Sequence, residues 1–173
     1  MSSEPAVLTT PRLTLREMRE QDLDDLAALL ADPEVMRYYP RPRTRAETAD
    51  WIELNRRRYR EHGFGLWIMH LRAGGAFAGD CGLTVQRVDG VDELELGYHV
   101  VPHLQRTGLA SEAAAACRDH ARIALGARRV IAIIHPDNVA SQRVASNAGL
   151  TLEKRTSGYA SGEQEVLVFS AAL

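Results

Sequence analysis

Only two cysteines occur in the 173 residues, Cys81 and Cys117, and they form no C-x-x-C pair. A disulfide framework is therefore not expected, and a reducing cytoplasm is the default compartment. No apolar run approaches the roughly 18 residues of a membrane span. The opening "MSSEPAVLTTPRLTLRE" also has no apolar core of signal-peptide length. No charge of one sign dominates. The 21 Lys and Arg residues face 23 Asp and Glu, a formal net charge of −2. That is not the basic balance of a general nucleic-acid binder. The six histidines show no H-E-x-x-H or H-x-H spacing, so no metal site is expected. There are no internal repeats or low-complexity tracts. Gly and Pro fall only at joints, which leaves no interdomain linker, so residues 1–173 read as one domain. What is present is ordinary for a soluble globular protein: 45% apolar and 25% charged residues.

The chain then reads as alternating elements. "RLTLREM" alternates Leu13 and Leu15 with polar neighbours, a first strand. In the next segment Leu23, Leu26, Ala27 and Leu30 share one helical face. Thr44 and Glu47 make a capping box, which starts a second helix that should close at Gly63. "FGLWIMHLR", "AFAGDCGLTVQRV" and "ELELGYHVV" read as an antiparallel meander. "LASEAAAACRDHARIAL" is a helix, with Leu109, Ala113, Ala116, Cys117, His120 and Ala124 on one side. "RRVIAIIHP" is the continuous apolar run of a strand covered on both faces. "NVASQRVASNAGL" is a short helix, and "TLEKRTSGY" and "EQEVLVFSA" are two last strands. The order βααβββαβαββ predicts an α/β (α+β) fold: a mixed sheet of about seven strands with helices on both faces.

Chemistry concentrates in Gln105-Arg106-Thr107-Gly108-Leu109-Ala110, which follows a strand and opens a helix. Unpaired N–H groups at a helix start, helped by the helix dipole, bind phosphate. Gly108 and Ala110 lack bulk, so a pyrophosphate can approach the main chain, and Arg106 adds charge. No G-K-[ST] follows, and the pattern is not G-x-G-x-x-G. Taken alone, it is equally a plain glycine-containing joint.

In context, "ELGYHVVPHLQRTGLASEA" resembles the central motif of the GNAT superfamily of acyl-CoA-dependent N-acyltransferases. Its [QR]-x-x-G-x-[GA] signature is matched by Gln105, Gly108 and Ala110. "HPDNVASQRVASNAGLTLEKR" is similar to the segment that follows in that family. "TPRLTLREM" and "DPEVMRYYP" resemble the Rim-type branch, which modifies N-termini of ribosomal proteins, with relatives acting on small amines. The resemblance covers about Thr10 to Phe169.

The resemblance implies a mostly antiparallel sheet with a splayed parallel strand pair, and acetyl-CoA lying in the cleft between the two. The backbone of His99, Val100 and Val101 would bond the pantetheine chain. Arg106, Thr107, Gly108, Leu109, Ala110 and Ser111 would take the pyrophosphate. Asn138 would hold pantetheine or the acetyl end. The amine attacks the thioester directly, so no cysteine nucleophile is needed, and Cys81 and Cys117 read as packing. Glu95 stands where many members carry a base acting through water; Glu93, on the same strand face, is the alternative. The tyrosine acid of many members is replaced by Ala145. Ser141, one turn after Asn138, is the acid that Rim-type relatives suggest. The acceptor would be a protein or peptide N-terminus or a small amine, and a homodimer is a common state among relatives.

Several features have two readings. Arg56, Arg57, Arg58 and Arg60 form either a solvated face or a rim for an acidic substrate. Trp51, Trp67, Tyr38 and Tyr39 are candidates for an acceptor pocket, although Trp67, in a strand, reads as core. His70 and His99 either pack or face the cleft. The alternative to an enzyme is a non-catalytic acyl-CoA-binding sensor or interaction protein. An unrelated nucleotide-binding α/β domain fits poorly, because its glycine loop should follow the first strand.

Overall fold

A computed structural model describes residues 5–173. Met1 to Glu4, the start of the segment read for a leader, lie outside the described residues. The elements are β1 (Leu8–Thr9), β2 (Leu13–Arg16), α1 (Leu23–Ala31), α2 (Arg45–His62), β3 (Leu66–Leu71), β4 (Phe77–Val88), β5 (Val91–Val100), α3 (Leu109–Ile123), β6 (Arg129–Ile134), α4 (Val139–Asn147), β7 (Thr151–Thr156) and β8 (Val166–Ala172). The strands form one open sheet in the order β1-β2-β3-β4-β5-β6-β8-β7. The chain also divides into two compact units. The first holds the described residues up to Gly82 with Tyr98–Ala110, and the second Leu83–Gly97 with Ser111–Leu173.

The first unit is built on β2 and β3, which pair antiparallel from Leu13↔Leu71 to Arg16↔Ile68. Leu13 and Leu15 alternate inward and are fully buried, as the strand period requires. The sheet has eight strands rather than about seven because the two residues of β1 pair with β2; two residues carry no readable alternation. On α1 the buried residues are Leu26, Leu29 and Leu30, so the core face is turned from the expected one that included Leu23 and Ala27.

Helix α2 starts where its capping box puts it. Thr44 Oγ1 accepts from the Glu47 N–H at 3.2 Å, and the Glu47 carboxylate accepts from the Thr44 N–H at 2.8 Å. Thr48, Ile52, Asn55 and Tyr59 form its buried stripe. The stripe is partly polar because it holds the start of β3. Asn55 Oδ1 accepts from the Leu66 N–H at 3.0 Å, and the Tyr59 hydroxyl donates to the Leu66 carbonyl. Burial pushes the Tyr59 phenol well up. The arginine run lies along the outside of α2. Arg56 pairs with Glu20 at 2.8 Å and Glu53 at 3.1 Å, and Arg60 pairs with Glu53.

In the second unit β5 and β6 run parallel, in register at the single pair Glu95↔Ile131. One registered pair, not a ladder, is what a splayed parallel pair would give. β8 inserts between β6 and β7, antiparallel to both. The apolar run of β6 buries Val130, Ile131, Ala132 and Ile134. On α3 the buried stripe is Leu109, Ala113, Ala114, Cys117 and Ala121. Ala116 and His120 are half-buried and Ala124 is exposed, so the stripe steps by four residues and drifts from the expected side. Cys81 and Cys117 are both buried and not in a disulfide, and Trp67 is core.

Candidate active site

The joint between β5 and α3 is folded back on itself by its own side chains. Gln105 Nε2 donates to the Val100 carbonyl at 3.1 Å, and the Thr107 hydroxyl donates to the Leu104 carbonyl at 2.6 Å. Buried Leu109 anchors the turn while Gln105 to Gly108 stay exposed. Arg106 has φ +63° and Gly108 φ +84°. Left-handed residues within a short turn bring successive N–H groups round to one concave side, which suits an anion. A Cβ on Gly108 would stand 3.3 Å from Arg12 Nη2 and in a strained conformation. Arg12, at the start of β2, also donates through Nη1 to the Thr107 carbonyl at 2.8 Å. The turn thus combines the Arg12 guanidinium, the exposed Arg106 residue, an open glycine and the start of a helix. That set fits a pyrophosphate. The sequence had not pointed to Arg12, which lies 95 residues from Thr107.

Of the peptide groups expected to meet pantetheine, two are already engaged. The Val101 N–H donates to the Ala78 carbonyl at 3.0 Å, and the Val100 carbonyl takes Gln105. The carbonyl of His99 lies over Gly79, whose φ is +137°. A Cβ on Gly79 would overlap that carbonyl. The His99 ring has two partners of its own. Nδ1 lies 2.8 Å from Asp80 Oδ1, and Nε2 lies 2.9 Å from the Tyr39 hydroxyl.

In the second unit the two carboxylates of β5 have different surroundings. Glu95 Oε2 accepts from the Thr84 hydroxyl at 2.8 Å. Gln86 Nε2 donates to that hydroxyl oxygen at 3.2 Å, which turns its proton toward Glu95. Tyr159 lies close enough that the Glu95 charge adds to burial in pushing its phenol up. Glu93 instead sits in an ion pair with Arg129 at 3.1 Å, and Arg129 also binds Glu153 at 2.8 Å. The two carboxylates thus meet different partners, a hydroxyl at Glu95 and a guanidinium at Glu93.

Asn138 caps α4, its side-chain oxygen accepting from the Ser141 N–H at 3.1 Å. The cap puts Ser141 in the first turn of α4. Asn147, at the far end of α4, donates to the Ser111 hydroxyl at 3.2 Å and so ties it to the first turn of α3. Ala145 is fully buried, and no acid stands at that position. Among the described residues no helix is long and apolar enough to cross a membrane. No group of three or more His, Cys, Asp or Glu residues there could hold a metal ion.

The family model "Acetyltransferase (GNAT) domain" matches residues 12–151, which include the β5–α3 joint, Glu95 and Ser141. The chain belongs to the GNAT acetyltransferase family. GNAT membership makes the protein an N-acetyltransferase with acetyl-CoA as acyl donor. It is 35% identical over 148 residues to YkkB of Bacillus subtilis (strain 168), covering 85% of this chain and 86% of that protein. An acetyltransferase structure from Agrobacterium tumefaciens str. C58 superposes with TM-score 0.80 at 26% identity, covering 100% of this chain and 97% of the other. A Salmonella typhimurium acetyl transferase that modifies the N-terminal serine of ribosomal protein L7/L12 shares the fold. Its TM-score is 0.78 at 17% identity, over 98% of this chain and 99% of that one.

Proposed function

We propose that residues 1–173 form one GNAT domain that moves the acetyl group of acetyl-CoA directly to a primary amine of low pKa, a peptide N-terminus or a small amine. The observation that carries this reading is the β5–α3 turn with Arg12 folded against it. Arg106 to Ser111 take the pyrophosphate, joined by the Arg12 charge, while the backbone of β5 near His99 and Asn138 of α4 orient the pantetheine arm. Bound acetyl-CoA supplies an activated acyl carbon. Glu95, oriented by Thr84, accepts through water the proton that nitrogen loses as the C–N bond forms. Ser141 donates a hydrogen bond to the leaving sulfur. A thiol of pKa ~8.5 leaves readily, so this help is small.

The preference for an easy amine follows from magnitudes. An α-amino group has pKa ~7.7–8.0 and a lysine ~10.4. At pH 7 roughly a tenth of α-amines are neutral, against well under a thousandth of lysines. The gap of about 2.5 units is worth ~3.4 kcal/mol of deprotonation that a lysine-directed enzyme must supply. Cys81 and Cys117, buried and not joined in a disulfide, suit a reducing cytoplasm, where the substrate would be met.

Ala145, in place of the family's tyrosine acid, favours a second reading, a non-catalytic acyl-CoA sensor. A screen of amines and free-N-terminus peptides with acetyl-CoA, followed by thiol release, separates the two. Release with an amine supports the enzyme. Tight coenzyme A binding with no release from any acceptor supports the sensor.

A further inference from the structure

Asp80 is a carboxylate with no exposed surface, on β4 between buried Gly79 and Cys81. Its Oδ1 meets His99 Nδ1 at 2.8 Å, and its Oδ2 has no hydrogen-bond partner. A buried carboxylate without full pairing is costly, and an apolar side chain of similar size would serve packing better. The chain of contacts continues outward. His99, with only 11% of its side chain exposed, meets the hydroxyl of Tyr39 at 2.9 Å, and Tyr39 is 46% exposed. Gly79 makes the approach feasible, because any side chain there would overlap the His99 carbonyl.

With Asp80 as the acceptor, Nδ1 carries the imidazole proton; Nε2 is then an acceptor, and Tyr39 donates to it. The arrangement is an oriented base whose acceptor nitrogen looks outward through a phenol. Asp80 from β4 and Tyr39 from the segment between α1 and α2 face the ring. Tyr59 of α2 faces Asp80 and stays neutral through burial.

Resting on the acetyl-transfer reading, we propose that Asp80, His99 and Tyr39 form a proton relay that neutralises the acceptor ammonium before attack. An alkylammonium must lose two protons to become an amide, and the relay takes the first. In the relay, Tyr39 oxygen accepts the ammonium proton while its own proton passes to His99 Nε2, and Asp80 stabilises the resulting imidazolium. The nitrogen lone pair then forms the C–N bond, the C–S bond breaks and the sulfur leaves with the electron pair; the second nitrogen proton passes through water to the sulfur, and His99 returns its proton to solvent. His99 and Tyr39 are catalytic residues in this scheme, and Asp80 is a positioning residue.

The test has two arms. Nitrogen-15 NMR of the full-length protein without ligand should show His99 protonated on Nδ1 and bare on Nε2 near neutral pH; the opposite tautomer overturns the relay. The second arm uses a short peptide with a free N-terminus as acceptor. At pH 6.5 about 3% of an α-amine of pKa ~8 is neutral, so losing the relay costs up to about 30-fold. His99→Gln and Tyr39→Phe should lose roughly 10- to 30-fold in kcat/KM at pH 6.5 and less than about twofold at pH 9.5. A loss equal at both pH values marks a structural role and overturns the proposal. Should His99→Gln fail to fold, Tyr39→Phe, which changes one atom of a residue 46% exposed, decides alone. Wild-type protein that acetylates no amine removes the transfer reading and the relay together. An active wild type with a pH-independent loss removes the relay alone.

Discussion

The hydroxyl of Thr84 on β4 donates to the carboxylate of Glu95 on β5 at 2.8 Å. It fixes which way the carboxylate faces, while Arg129 ties down the neighbouring Glu93. Glu95→Gln should lower kcat by ~10²–10⁴, the usual worth of a positioned base. The loss should persist at pH 9.5, because in the proposed scheme Glu95 acts on nitrogen already attached to carbon. Thr84→Val should cost about 10-fold, matching one hydrogen bond to a charged group. Glu93→Gln should leave kcat within about twofold. Steady-state rates of the three variants check the assignment, and a Glu93→Gln protein as slow as Glu95→Gln would reverse it.

Arg12 and Gly108 test the phosphate turn. Valine at Gly108 meets both a φ of +84° and the Arg12 guanidinium. Gly108→Val should abolish measurable coenzyme A binding without unfolding the protein. Arg12→Ala removes a bond to Thr107 and a charge, and should weaken binding about 5- to 10-fold. Calorimetric titration with coenzyme A measures both. Unchanged affinity in folded Gly108→Val protein would place the pyrophosphate elsewhere.

Ser141→Ala should slow turnover by no more than about 10-fold, because one neutral hydrogen bond contributes ~0.5–1.5 kcal/mol. Asn138→Ala should also cost stability, since its side chain caps α4. Removing such a cap costs about 0.5–2 kcal/mol. Thermal unfolding separates them: Asn138→Ala should melt lower, and Ser141→Ala should melt with the wild type.

The start of α2 carries a pH signature. Hydrogen bonds from the Arg41 guanidinium and the Thr44 N–H pull the Glu47 carboxyl down to about 2. A folded-state pKa below the unfolded one stabilises the fold above the ordinary carboxylate range. That contribution is lost as pH falls from about 4.3 toward 2. Glu47→Gln should therefore melt below wild type at pH 7, and the difference should close by about pH 2. A constant difference across that range would show that Glu47 acts through packing alone.

Local signals were legible where a few neighbouring residues settle the outcome. Thr44 with Glu47, and Asn138 before α4, announce helix starts because capping is a bond across three residues. The Gln105–Ala110 turn is legible for the same reason. The partners of the site were not. Arg12 reaches Thr107 across 95 residues, Tyr39 reaches His99 across 60, and Asp80 reaches His99 across 19. Such contacts are made by strand register, which a linear pattern does not specify. Asp80 left one trace, an acid in the otherwise apolar "FAGDCGL" run. The α3 stripe was misplaced because alanines at nearly every position blur a helical face.

The central claim is acetyl transfer to an easily deprotonated amine. The most direct measurement is mass spectrometry of a peptide carrying a free N-terminus and an internal lysine, incubated with the protein and acetyl-CoA. The account predicts one acetyl group on the α-amine, released thiol in equal amount, and no label on the lysine. Acetylation of the lysine alone, or bound coenzyme A with no acetylated amine, would contradict it.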